Sequence, residues 1–176
     1  ENNEAVGYIL SIIRDKKMWV YEFAYKNRAA YENIIGYMHS HKLYVDDIAI
    51  KAAADDLSYL DFCDNREAVR FCPFAMARIT DAKKALEIAS TNLSENFKIQ
   101  IVDRLIESNN KTFSLSEGAA EETDAEADVI TDIGTLTQLF MGYISVNDAC
   151  RMNLISGNAE YLKKIFGKKS NYINML

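Results

Sequence analysis

No stretch of this chain reaches the roughly 18 consecutive apolar residues that a membrane-spanning helix needs. The opening Glu1–Ala5 is not a signal peptide either, so a soluble chain in the cytoplasm is expected. Cysteine is scarce. Cys63, Cys72 and Cys150 are odd in number, irregularly spaced and without a Cys-x-x-Cys pair. That excludes a disulfide frame and a cysteine zinc site, and predicts three reduced, small, buried apolar side chains. Positive charge is short too: 20 Lys and Arg against 26 Asp and Glu leave a net charge of -6. The basic residues are scattered, whereas a nucleic-acid surface needs them clustered, so no nucleic acid is expected and a cationic or amine substrate fits better. The only histidines, His39 and His41, stand two apart. On a helix they point in different directions, which argues against a metal pair and for a place in a helix's last turn. The single proline, Pro73, marks a change of pattern and predicts a domain boundary.

What is present is an ordinary globular composition, 49% hydrophobic and 26% charged over 176 residues, enough for one domain or two small ones. Val6–Ile13 and Met18–Tyr25 read as strands joined through polar Arg14–Lys17, a hairpin. Trp19, Tyr21, Phe23 and Tyr25 fall at period two on one face, which reads as a sheet face under helices rather than a ligand groove. Arg28–His41 reads as a helix with Ala30, Ile34, Tyr37 or Met38, and His41 on one side. A strand at Asp47–Ala52, a short helix at Asp55–Phe62 and a strand at Glu67–Cys72 continue a mixed pattern. Then Pro73–Ile79 reads as a strand, and Thr80–Asp81 as the cap of a helix over Ala82–Ala89. Phe97–Ile106 is a one-sided strand, Ser108–Lys111 a turn and Thr112–Ser116 another strand.

The remainder is organised around Asp128–Ser145. A strand with Ala127, Val129 and Thr131 on one face hands over to a helix starting at Asp132 or Thr135. That helix carries Leu136, Leu139, Phe140 and Tyr143 and stops near Gly142; a second glycine punctuation follows at Leu154–Asn158. The pattern describes a sheet edge packed on a helix and says nothing about activity. Just upstream, Glu117, Glu121, Glu122, Asp124, Glu126 and Asp128 lack calcium-loop spacing and sit in no apolar stretch, so they read as a solvated hairpin or loop. Ser145 and Asp148 predict a capping box for a helix to about Met152. A helix over Ala159–Phe166 has Lys163 and Lys164 in its last turn and Gly167 just after. The tail Ser170–Leu176, apolar at Tyr172, Ile173, Met175 and Leu176, is expected to dock in a groove.

The wording of these segments carries more than their periodicity. Residues 127–145, ADVITDIGTLTQLFMGYIS, followed by Leu154–Gly157, resemble the last strand, helix and glycine turn of a sterol-carrier-protein-2-like domain. More narrowly, PFAMARITDAKKALE (73–87), RLIESNNKTFSLS (104–116), DIGTLTQLFMGYIS (132–145) and NYIN (171–174) resemble, in order, the C-terminal half of the Eis-like acetyltransferases of the GNAT superfamily. The resemblance implies an α+β fold. Residues 1–73 are then the end of a second, degenerate GNAT-like lobe, and residues 74–176 a sterol-carrier-like domain of antiparallel strands packed on helices.

It further implies transfer of acetyl from acetyl-CoA to a primary amine such as an aminoglycoside, a polyamine or a lysine side chain, in a homo-oligomer. The superfamily cradles the cofactor's pyrophosphate on a loop of Arg or Gln, two residues, Gly, one residue, then Gly or Ala. Neither Glu117–Ala120 nor Gly157–Glu160 fits it, so acetyl-CoA is expected to bind a missing N-terminal lobe and the fragment alone to be inactive. The absence of an initiator Met, with a strand pattern within about five residues, likewise leads one to expect a piece of a longer protein. In Eis-like enzymes the terminal carboxylate enters the active site as a base. The matching group here is the α-carboxylate of Leu176, the one catalytic candidate; no residue is assigned to cofactor or metal. Two other readings compete: an apolar ligand held between the sheet and the helix at Leu136–Tyr143, and a purely structural assembly domain.

Overall fold

The computed structural model describes residues 4–53, 56–61, 70–72 and 76–171. The chain divides into two compact units between Phe71 and Cys72.

In the first unit, strands β1 (Gly7–Arg14) and β2 (Lys17–Tyr25) form the expected hairpin. Its two turn residues, Asp15 and Lys16, both have positive φ, the twist that a two-residue hairpin turn needs. The register then slips. Leu10 pairs with Glu22 and Ser11 with Val20, leaving Tyr21 as the extra residue of a β-bulge. An extra residue exchanges the two faces of a strand. Met18 and Val20 before the bulge and Phe23 after it therefore pack into one core, whereas Trp19 lies on the opposite, exposed face. The expected row of four aromatics is thus broken at Tyr21; only Phe23 and Tyr25 meet the following helix, through Tyr31.

That helix, α1 (Arg28–Ser40), is started by Asn27, whose side chain accepts the Ala30 N–H at 2.9 Å. It buries Ala30, Tyr31, Ile34 and Met38. Met38 rather than Tyr37 completes the stripe. Tyr37 is exposed, and its carbonyl lies 2.9 Å from His41 Nδ1. His41 therefore closes the helix end instead of facing the core. Strand β3 (Asp47–Ile50) pairs in parallel with β2, giving the order β1-β2-β3. The short helix expected over Asp55–Phe62 is a 3-10 turn at Ser58–Asp61. Of the strand expected over Glu67–Cys72, residues 67–69 lie outside the described residues, and 70–72 form no strand.

The second unit begins without the strand expected over Pro73–Ile79. Residues 73–75 lie outside the described residues, and at Ile79 the N–H is taken by the Thr137 hydroxyl at 3.1 Å rather than by a strand. Helix α2 (Ala82–Ala89) starts at Asp81, which accepts the Lys84 N–H at 2.9 Å. The sheet is β4 (Phe97–Val102), β5 (Thr112–Ser116), β6 (Ala119–Glu122), β7 (Val129–Asp132) and β8 (Ile155–Gly157), in the order β6-β5-β4-β7-β8. Three pairs are antiparallel, but β4 and β7 run parallel, so the sheet is mixed rather than wholly antiparallel. Strand β7 is not an edge, because β8 covers it. Helix α3 (Ile133–Met141) is capped by Asp132, which accepts the Gly134 and Thr135 N–H groups at 2.8 and 3.0 Å. It ends at Gly142 in the left-handed region; Tyr143 falls beyond it and is exposed.

Helix α4 (Val146–Arg151) carries the predicted Ser145/Asp148 capping box, and α5 is Glu160–Ile165. Gly167 does not adopt the left-handed cap conformation, since α5 ends at an extended Phe166. Ile99, Leu115, Val129, Leu136 and Leu162 meet in the core with no exposed surface. Each such side chain contributes about 1.5–3 kcal/mol by its removal from water. The fold is α+β, as expected.

Candidate functional site

Leu176, the catalytic candidate, lies outside the described residues. The segment leading to it is described as far as Asn171, and it is held against the C-terminal end of α3. There the Lys169 N–H donates to Gly142 O at 2.9 Å and Asn171 Nδ2 donates to Met141 O at 3.0 Å. A Cβ on Gly142 would stand 2.7 Å from Lys169 N, so this approach needs glycine as much as the left-handed turn does.

The two glycine turns considered for a phosphate are committed elsewhere. Gly118 is the tip of the β5–β6 hairpin, and Gly157 lies in strand β8 against the backbone of Asp128. Neither opens a helix whose N–H groups could meet a pyrophosphate. Most of the acidic run is exposed, and β6 and its hairpin hold it as expected. Two members have structural work: Glu122 pairs with Lys111, and the Asp128 carboxylate accepts the Lys98 N–H at 2.7 Å. No group of three His, Cys, Asp or Glu among the described residues could hold a metal ion. Cys150 packs partly buried on the core, but Cys72 is exposed, against expectation; Cys63 lies outside the described residues.

Sequence reasoning missed the most heavily bonded carboxylate. Asp103 directly follows β4, and its side chain has no exposed surface. It accepts Arg78 at 2.6 Å, Asn109 Nδ2 at 3.0 Å, and the Leu105 and Ile106 N–H groups at 2.9 and 3.1 Å. Asn109 in turn accepts the Ala82 N–H at 2.8 Å, tying the loop to the start of α2. Burial alone pushes the Asp103 pKa up; the bonds from Asn109, the two N–H groups and Arg78 outweigh it and hold the carboxyl well below its ordinary range. A carboxylate so fully engaged is no proton acceptor. It shapes the floor of an open cleft of about 580 Å³ lined by Val102, Arg104, Leu105, Glu107 and Asn110. The expected strand over Phe97–Ile106 and turn over Ser108–Lys111 contain Asp103 and Asn109 but gave no sign of this network.

In the first unit a hollow of about 150 Å³ is lined by Arg28, Tyr31, Glu32, Ile35 and Asp61. Among the described residues the buried Tyr31 hydroxyl there has no hydrogen-bond partner. Burial and then the nearby Asp61 carboxylate push its pKa up to about 12, so it stays a neutral phenol. The sheet face away from α1 exposes Leu10, Ile12 and Trp19.

Comparison with known proteins adds the family. The sterol carrier protein domain model matches residues 78–174, more than half of the chain, and the chain belongs to that family. No curated protein matches it. Among solved structures it is similar to a conserved Enterococcus faecalis V583 protein given as a probable N-acyltransferase, at 26% identity and a TM-score of 0.75 over 94% of this chain and 45% of that one. It also shares its fold with Eis1 of Mycobacterium abscessus, at 19% identity and a TM-score of 0.65, covering 88% of this chain and 42% of that one. A GCN5-related N-acetyltransferase of Anabaena variabilis ATCC 29413 matches at 17% identity and 0.69, over 96% and 46%. The chain spans less than half the length of each of these proteins. No helix among the described residues is long and apolar enough to cross a membrane.

Proposed function

We propose that this chain is the C-terminal part of an Eis-like, acetyl-CoA-dependent N-acetyltransferase acting on a primary amine, where it helps to shape the substrate pocket and the subunit assembly of a cytoplasmic homo-oligomer. One observation carries this: a single alignment runs through both units, 94% of the chain, within a probable N-acyltransferase more than twice as long. Residues 1–73 are on this reading the end of a degenerate GNAT-like lobe and residues 74–176 the sterol-carrier-like domain. The acetyl donor is held by the rest of the longer protein, since the glycine turns described here serve other ends. The exposed apolar sheet face of the first unit gives that further polypeptide something to pack on. A net charge of -6 suits an amine.

The Leu176 α-carboxylate takes the proton from the substrate amine. An α-carboxyl group titrates near about 3.5 in water, so this role requires a dry site that raises it toward neutral pH. The test is thiol release from acetyl-CoA with primary amines, using the full-length protein, the 176-residue chain and a full-length variant lacking Leu176. Turnover by the full-length protein alone is expected; no turnover with any amine overturns the reading.

The family also suggests an apolar ligand beside α3. A side chain lining a lipid-sized cavity keeps surface accessible toward it, but Leu136 is 0% and Leu139 1% exposed. Both side chains belong to the core cluster of the second unit. A lipid-exchange assay on the chain is expected to show no transfer.

A further inference from the structure

We infer that the hollow beside α1 is a binding site for a small primary ammonium ion, held by the Asp61 and Glu32 carboxylates and the Tyr31 hydroxyl. Arg28, Glu32 and Asp61 form its exposed rim and Tyr31, only 4% exposed, its buried floor. Among the described residues the Tyr31 hydroxyl has no hydrogen-bond partner. An unpaired buried hydroxyl carries a desolvation penalty that a water or a ligand removes. The Asp61 carboxylate stands close enough to push the phenol's pKa up, yet accepts no hydrogen bond from it, so the phenol oxygen is open to a guest.

Size and charge select the guest. About 150 Å³ is well below the roughly 300–1,000 Å³ of a pocket for a drug-sized molecule, so the guest is small. Two carboxylates and one guanidinium line the hollow, which leaves one negative charge over and favours a cation. Arg28 already spans both acids, but unequally: Nε donates to Glu32 at 2.9 Å, whereas Nη1 reaches Asp61 only at 3.4 Å. The longer contact is weak, and Asp61 keeps most of its capacity to accept. A primary ammonium has three donors and no acceptor, which matches one oxygen each of Asp61, Glu32 and Tyr31. Ile35 supplies an apolar wall for the alkyl stem. Arg28 is therefore the guest's competitor, its weaker arm displaced from Asp61 on binding. An anion would need that guanidinium free, and both carboxylates oppose it. The site lies within the first unit and takes part in no chemical step, so it is independent of the acetyl-transfer reading.

The experiment is an NMR titration of the isotopically labelled chain, read at the Arg28 side chain, the Tyr31 ring and the Ile35 methyl groups. The probes are n-butylammonium and, for a lysine side chain as the source of the same group, Nα-acetyl-lysine amide. Tetramethylammonium, a charge without N–H donors, and n-butanol, a donor without charge, are the controls. Saturable shifts are expected with a primary ammonium and not with the controls, weakening as salt rises. Whichever of the two ammonium probes binds more tightly names the source. Tyr31→Phe is expected to weaken binding about tenfold or more, the loss of a hydrogen bond to a charged group. Asp61→Asn, at an exposed position, is expected to weaken it as well, whereas Arg28→Gln, which removes the competitor, is expected to tighten it. No saturable shift with either ammonium means that water alone completes the hydroxyl and overturns the site. Unchanged affinity in Tyr31→Phe, or weaker binding in Arg28→Gln, overturns it too.

Discussion

Replacing Gly157 by alanine tests why a glycine stands in the Leu154–Gly157 motif. Its φ is +89°, which puts an L-residue in strain of about 1–2 kcal/mol. An added Cβ would also overlap the Asp128 carbonyl oxygen and come within 3.1 Å of its carbon and 3.2 Å of Val129 Cα. Asp128 cannot retreat easily: its N–H donates to Lys98 O at 2.9 Å and its carboxylate accepts the Lys98 N–H at 2.7 Å. The overlap is relieved only by pushing β8 off β7, against the Asn158 N–H to Asp128 O bond of 2.9 Å. Overpacking of this kind costs about 1–3 kcal/mol. The two contributions together come to roughly 2–5 kcal/mol, or a melting temperature lower by at least about 8 °C for a unit of this size. Calorimetry and urea titration of the chain measure it, with Gly167→Ala as control: a Cβ there meets nothing within 4 Å, and φ is not left-handed. If Gly157→Ala stays within about 0.5 kcal/mol of that control, the steric account of this glycine is wrong.

Leu136→Ala removes a side chain from the centre of the second core and is expected to cost about 2–5 kcal/mol in urea titration. Asp148 is held at about 2, against an ordinary 3.8, chiefly by the Ser145 hydroxyl, then by the Ser145 N–H and Arg151. Because its folded pKa is depressed, its stabilisation is present above about pH 4 and lost as the pH falls toward 2. Melting curves across that window are expected to show a shallower acid decline in Asp148→Asn, and an equal slope refutes the assignment. Tyr31→Phe deletes a buried hydroxyl that has no partner among the described residues, so the melting temperature is expected to hold or rise; a clear fall means that the hydroxyl is bonded in solution.

What could be read from the sequence was what neighbouring residues decide among themselves. Asp81, Asp132 and the Ser145/Asp148 pair cap their helices as expected, because each bond closes within three residues. The stop at Gly142, the alternation of Phe97, Ile99 and Ile101, and the solvated acidic hairpin are equally local.

Tertiary structure alone decided whatever depends on a distant partner. The Tyr21 bulge follows from the pairing with β1 and separates Trp19 from Phe23. Parallel pairing of β4 with β7, and the addition of β8, turned a presumed edge into the interior of a mixed sheet. Asp103 reads only as one position of the Phe97–Ile106 strand until Arg78 and Asn109 fold onto it, and the second use of Gly142 exists only because Lys169 returns to it. Local hydrogen bonds and side-chain periodicity are written within a few residues, whereas register, burial of charge and close backbone approach are fixed only when remote segments compete for the same space.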